Sequence, residues 1–274
     1  MIVITIEQLD GSKITTQDIG LTVDTFSVSP PTLSHTLEAI DGRHGNIDLG
    51  STLNARPIEM TGYIESYDKA SFPMYRNRLF KALANPKGFY LIDSRQPYKR
   101  WRAKIDGDWK ADRVPFHNVG EVEVSFLTMG LPYASSAATS LQPRIWQENG
   151  WWWGAGISWS DEDFVYNTTS FTVPNFGDVT VDPRFMEGII RFNGASNNLR
   201  IRNLTTGDDW QYTGTTASND QVTLEGVRSL KNGTSIVRNT NKQLISLAPG
   251  NNQFQITGAT GAFTISFEFR FPYL

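Results

Sequence analysis

Cysteine is absent from the 274 residues. No disulfide, thiolate nucleophile or zinc–thiolate site is therefore available, and stability must come from burial, hydrogen bonding or assembly. A surplus of basic charge is also missing: Lys+Arg 25 against Asp+Glu 28 leaves a net charge of −3 and a pI near 5.7. Such a chain is not built to grip a phosphate backbone, and DNA near it would be passed along rather than held. No run of 18 apolar residues occurs, so no membrane-spanning helix is expected. The opening residues MIVITIEQLDGSKITT lack the basic and apolar regions of a secretory signal, which points to synthesis in the cytoplasm without export by the usual route. The three histidines, His35, His44 and His117, follow no metal-ligand spacing. The GxSxG elbow, the Walker loop and the strand-linked GxGxxG are all missing, which removes support for hydrolase and nucleotide chemistry. No catalytic, cofactor-binding or metal-ligating residue is nominated, and the chain is expected not to be an enzyme.

What is present reads as β structure. Hydrophobic residues make up 39% and charged residues 19%, a globular balance, and Gly 23, Pro 13 and 12% aromatics tilt the class toward strands and turns. Residues 2–7 alternate and end at Asp10-Gly11, with residues 21–28 as the expected partner strand. Residues 34–40 and 46–49 flank the Gly-rich turn Asp41-Gly42-Arg43-His44-Gly45 and predict a β-hairpin. It is polar on both faces, so it buries little of itself and is expected to project or to lie along a neighbour. Asp41, Arg43 and His44 are its candidate inter-subunit residues. Residues 56–64, 89–92, 100–106 and 121–127 read as further strands. Between them, residues 71–84 carry apolar side chains at three- and four-residue spacing (Met74, Tyr75, Leu79, Leu83, with Phe72). Ser71 is the expected cap, Pro73 fits the first turn and Asn85-Pro86 is a stop, so this stretch predicts the one helix.

Residues 132–143 (PYASSAATSLQP) are small and nearly uncharged, the composition of a linker. The division expected is 1–135, a linker at 136–144, and 145–274. The second domain reads as short strands separated by Gly, Asn and Thr turns at 189–192, 199–203, 210–213, 221–225, 242–247, 253–257 and 263–271, the spacing of a β-sandwich. The fold class is thus mainly β, two sandwich domains, the first with one helix and a projecting hairpin.

Three clusters invite a chemical reading. Asp161-Glu162-Asp163 suits calcium or glycoside hydrolysis, but neighbouring carboxylates on a strand point to opposite faces, and a solvated loop is the plainer reading. Lys99-Arg100-Trp101-Arg102 with Lys104 suits nucleic acid, but alternation favours ion pairing within the sheet or across a subunit interface. Trp151, Trp152 and Trp153, with Trp146 and Trp159 nearby, are candidate contacts for a glycan or a partner. Three successive rings cannot all face one core, so at least one faces outward.

The segment 56–135 resembles the N-terminal domain of the siphovirus distal tail protein family. ARPIEMTGYI resembles its strand, SFPMYRNRLFKALANPKGFYLIDSRQPYKRW its short helix and following hairpin, and EVEVSFLTMGLPYASS the exit from the domain. Ser135 stands where relatives often carry an acid. IIRFNGASNNLRIRNLTTGDDWQYTG, LISLAPGNNQFQITG and FTISFEFRF resemble the family's galectin-like or carbohydrate-module-like sandwich, while 141–182 has no counterpart. The resemblance implies a structural protein at the distal end of a phage tail in the virion. It implies a homo-hexameric ring whose faces meet the tail tube protein and the tail-associated, fibre or receptor-binding protein. DNA would pass through the channel without specific binding. No cofactor and no membrane insertion are implied. The alternative reading is an adhesin module contacting host cell-surface glycans.

Overall fold

The computed structural model describes residues 1–42, 44–143, 145, 151 and 164–274. The chain is mainly β, and it divides into two compact units, Met1–Ala134 with Leu274, and Ser135–Tyr273. Among the described residues there is one α-helix.

In the first unit the strands are β1 (Ile4–Glu7), β2 (Lys13–Thr15), β3 (Leu21–Val28), β4 (Leu33–Ala39), β5 (Asn46–Leu53) and β6 (Pro57–Glu65). After helix α1 (Phe72–Leu83) follow β7 (Phe89–Asp93), β8 (Lys99–Ile105), β9 (Lys110–Arg113) and β10 (Val119–Thr128). The main sheet runs β2-β1-β7-β8-β10-β6-β3, with β9 also on β10. The alternating EVEVSFL sets its core: Val122, Val124 and Phe126 are buried on one face while Glu121, Glu123 and Ser125 point away. β6 answers in register, Met60 opposite Val124 and Ile58 opposite Phe126.

β3 is not the partner of β1, as sequence order had suggested; one bridge, Ile2 to Val23, joins them. The turn at Asp10-Gly11 returns the chain at once as β2, which takes one edge of β1, and β7 takes the other. β3 instead pairs with β6, with a register shift between Val23 and Thr25. Gly62 makes that pairing possible, because a Cβ there would lie 2.2 Å from the Thr22 carbonyl oxygen.

The helix forms where its spacing predicts, with two differences. The Ser71 hydroxyl makes no cap bond; it turns back and donates to the Asp68 carbonyl at 3.0 Å, while the Ser71 N–H donates to the Asp68 carboxylate at 2.7 Å. Pro73 serves the first turn. The buried stripe is Phe72, Leu79, Ala82 and Leu83, and Met74 is exposed. Phe72 takes its place in the stripe because its ring packs onto Gly120, where a Cβ would come within 2.2 Å of it.

Strand β11 (Ala134–Ser136) leads into the second unit, which contains β12 (Val165–Tyr166), β13 (Ser170–Asn175), β14 (Gly188–Asn203), β15 (Asp208–Gln211) and β16 (Thr215–Thr216). β17 (Gln221–Glu225), β18 (Arg228–Lys231), β19 (Thr234–Ser235), β20 (Gly250–Phe269) and β21 (Pro272–Tyr273) complete it. The sheet runs β12-β20-β14-β17-β18-β19, with β13 on β20 and β15 and β16 on β14. Four of the short strands expected from sequence are halves of two long ones. β14 and β20 pair antiparallel from Gly188–Phe269 to Asn203–Phe254, and register shifts around Ser196 absorb their bend.

Residues 242–247 are not a strand; a single bridge joins Val181 and Leu247. Side chains replace the ladder there. The Ser246 N–H donates to the Asp208 carboxylate at 2.8 Å, and the Asn203 amide donates to the Ser246 carbonyl at 2.8 Å.

The small residues read as a linker lie packed on the end of β20 and the residues just after it. The Ser136 N–H donates to the Phe271 carbonyl and the Ser140 N–H to the Phe269 carbonyl, and Ala138 is buried. Small side chains suit a close approach to a strand as well as they suit a free connection. The core is aromatic: Phe267 meets Phe254 at 4.8 Å and Tyr166 at 6.0 Å, while Phe269 and Phe271 meet edge to face at 5.2 Å.

Candidate interaction surfaces

The hairpin β4–β5 forms its own two-stranded sheet. Its register runs from Leu33 opposite Leu53 to Ala39 opposite Asn46, with a shift between His35 and Leu37. All of β4 is exposed, and so is β5 apart from half-buried Ile47 and Leu53. Leu33 and Leu37 are each 55% exposed and Leu49 58%. A lone two-stranded ribbon is marginal in water, so these apolar side chains have nothing in their own unit to stabilise them. Asp41 and His44 sit exposed at the turn, and Arg43 lies outside the described residues. His35 is engaged across the strands, its Nδ1 2.6 Å from the Ser51 hydroxyl. His117 lies exposed in a distant loop, so the histidines are not brought together.

The basic cluster on β8 is divided between the two faces of the sheet. Arg100 is buried; it pairs with Glu7 at 3.1 Å and lies 3.9 Å over the Tyr90 ring. Trp101 faces the other way and carries the Arg56 guanidinium 4.7 Å above its ring. The cluster thus pairs within the sheet, as its alternation suggested, but with Glu7 rather than with the aspartates nearest in sequence. Asp93 instead holds Arg95 through both carboxylate oxygens, at 2.6 to 3.1 Å.

Trp151 is 3% exposed and meets Phe271 at 6.3 Å. A ring covered in this way offers no face to a sugar. Trp152, Trp153, Trp146, Trp159 and the acidic run 161–163 lie outside the described residues. The second unit has a groove of about 640 Å³ between Pro183, Phe185, Ile189 and Val227. Phe185 and Val227 are the exposed apolar side chains there. Arg228–Glu225 at 2.9 Å and Arg191–Glu268 at 2.6 Å flank it, so its charges are already matched. Sequence patterning did not single out this groove, because its parts are far apart along the chain. Among the described residues no group of three or more His, Asp or Glu is placed to hold a metal.

Comparison with known proteins gives these surfaces a context. Residues 11–128 match the phage tail protein RIFT-related domain. No curated protein matches the chain. The crystal structure of the Dit protein of phage SPP1, described as a paradigm of the hub adsorption apparatus in phages infecting Gram-positive hosts, aligns over 99% of both chains. The identity is 15% and the TM-score 0.69, a likeness of fold across both units. A chain of the phage p2 baseplate in its activated conformation aligns over 98% of both chains at 8% identity and TM-score 0.48, too distant to argue from. Residues 11–128 thus match the phage tail protein RIFT-related domain and the whole chain shares the fold of the SPP1 Dit protein, in line with the resemblance to the siphovirus distal tail protein family.

Proposed function

We propose that the chain is a non-enzymatic ring subunit at the distal end of a phage tail, six copies closing around a channel through which DNA passes. One face of the ring would meet the tail tube protein and the other the tail-tip or fibre apparatus. The observation that carries this reading is the hairpin: two strands with exposed leucines that their own unit leaves uncovered. At roughly 3.4 Å per residue its strands extend about 25 Å, enough to lie along a neighbour. A contact in which the arm of one copy meets a different surface of the next is heterologous, and it closes into a ring when its rotation divides the circle. The near-neutral, mildly acidic composition suits a channel that DNA crosses without sticking. The RIFT-related tail domain and the distal tail fold support the same placement. We read the second unit as the galectin-like part that carries host-recognition components.

Light scattering and negative-stain imaging of the purified chain test the reading: annular particles of six-subunit mass are expected. Leu37→Asp with Leu49→Asp should give monomers with unchanged melting. A wild-type chain that stays monomeric at every concentration, with no annular particles, would remove the mechanical basis of the proposal.

A further inference from the structure

The groove beside Phe185 in the second unit has fixed walls. Phe185 is 68% exposed, yet the turn that carries it is tied down. The N–H groups of Phe185 and Met186 both donate to the Asp182 carbonyl, at 3.1 and 2.9 Å. The Arg184 guanidinium holds the Asp182 carboxylate through both oxygens, at 2.6 to 3.0 Å, and lies 5.4 Å over the Phe185 ring. Opposite stands Val227, 62% exposed, at the turn between β17 and β18. A Cβ on the neighbouring Gly226 would sit 3.2 Å from the Pro183 carbonyl oxygen, so this turn is seated against the segment that carries Phe185. Glu225 and Arg228 close the turn, opposite each other in register and joined by an ion pair at 2.9 Å. Two large apolar side chains are thus presented to water on turns that internal hydrogen bonds and ion pairs define.

The rim of the groove is polar but carries no net charge. Its charged side chains are Arg184, Arg228 and Arg270 against Glu187, Glu225 and Glu268, three of each sign. All are in pairs: Arg184 with Asp182, Arg228 with Glu225, Glu268 with Arg191 at 2.6 Å, and Arg270 with Glu187 at 4.0 Å. A guanidinium has five N–H donors and a carboxylate about four acceptor sites, so a single contact such as Arg228–Glu225 leaves hydrogen-bonding capacity over.

This combination selects a class of ligand. An ionised ligand would have to break matched pairs, since neither sign of charge is in excess. A purely apolar one would take guanidinium and carboxylate groups out of water without replacing their hydrogen bonds. A ligand with one apolar face and a rim of uncharged hydroxyls meets both demands. A pyranose ring has that form: its C–H face packs on an aromatic face, and its hydroxyls both donate and accept. The groove volume of about 640 Å³ lies within the roughly 300–1,000 Å³ range of small-ligand sites. We propose that this groove binds a neutral saccharide, with the Phe185 ring as the stacking platform and the Arg228–Glu225 pair hydrogen-bonding the hydroxyls. The inference goes beyond the ring reading and stands apart from it. Rings that bind no sugar sink this inference alone, and sugar binding by a chain that never forms rings sinks the ring reading alone.

The test is saturation-transfer NMR and titration calorimetry on the full chain. Linear tetrasaccharides of glucose, galactose and N-acetylglucosamine are the neutral probes, and tetragalacturonate is the charged one. At least one neutral probe should bind, with saturation concentrated on the C–H protons of one sugar face. Phe185→Ala should weaken that binding at least tenfold with melting unchanged, and Phe185→Trp should retain it. Glu225→Gln should weaken neutral binding and strengthen that of tetragalacturonate, because the groove then holds an arginine in excess. Binding of none of the neutral probes overturns the proposal. Equal binding by wild type and Phe185→Ala places the sugar elsewhere and overturns it too. A wild-type preference for tetragalacturonate that salt removes would make the groove an anion site, against the proposal. If Phe185→Ala changes the oligomeric mass of the chain, the groove is a contact between copies and the proposal falls.

Discussion

The two units differ in how one buried amide cluster and one exposed arm are treated. In the second unit, the buried amides of Asn203 and Asn252 are satisfied internally. Asn252 is fully buried; its oxygen accepts from the Ala248 N–H and the Asn203 amide, and its nitrogen donates to the carbonyls of Ala248, Gly250 and Val173. Its aromatics close on one another around Phe267. In the first unit, a hairpin leaves leucines in water and Arg56 Nη1 lies buried without a hydrogen-bond partner. Apolar side chains that a unit leaves in water mark a surface that a partner would cover.

The strongest way to break this comparison is to remove the centre of the second unit's core. Phe267→Ala should destabilise that unit by about 3–5 kcal/mol, read by denaturant unfolding with a probe in each unit, and the first unit's transition should not move. Asn252→Ala should cost about 1–3 kcal/mol in the same transition, because the carbonyls of Ala248, Gly250 and Val173 lose their donor. The hairpin should behave in the reverse way. Leu37→Asp with Leu49→Asp should change subunit stability by less than about 0.5 kcal/mol while abolishing association. A loss of stability there would show that the hairpin already packs on its own unit.

The smallest expected effect is a titration in the second unit. Asp220 is held at a pKa of about 2 by Lys231, the Ala217 N–H and the Asn232 amide. Its unfolded value is about 3.9, so its stabilising contribution is full above roughly pH 4 and disappears as the pH falls toward 2. Carboxylate NMR should place the midpoint near the lower value, and Lys231→Met should move it upward.

Much of this was legible because the signals were local. Helix α1 was readable from Leu79, Leu83 and Pro73, and the hairpin from its Gly-rich turn between two extended runs. β10 was readable from strict alternation, since its three inward side chains share one face. Met74 and Ser71 were misread because the decisive neighbours, Gly120 and Asp68, belong to other segments. β14 and β20 were each read as two pieces: Gly194 and Gly258, both at positive φ, look like turns in sequence but serve as bends inside long strands. Residues 242–247 alternate like a strand, yet Asp208 and Asn203 take up the groups a ladder would use.

Periodicity and composition by themselves determined that this is a β protein with one helix, without the groups needed for thiol or metal–thiolate chemistry, and with an arm unsuited to its own core. Those features depend on spacing along the chain, and spacing survives without coordinates. Which strand pairs with which, and which charge meets which partner, were decided only by tertiary structure. Arg56 and Arg100 look equivalent in sequence. Only folding sets Glu7 beside one and the Trp101 ring beneath the other, because such contacts depend on distances between residues the sequence keeps far apart.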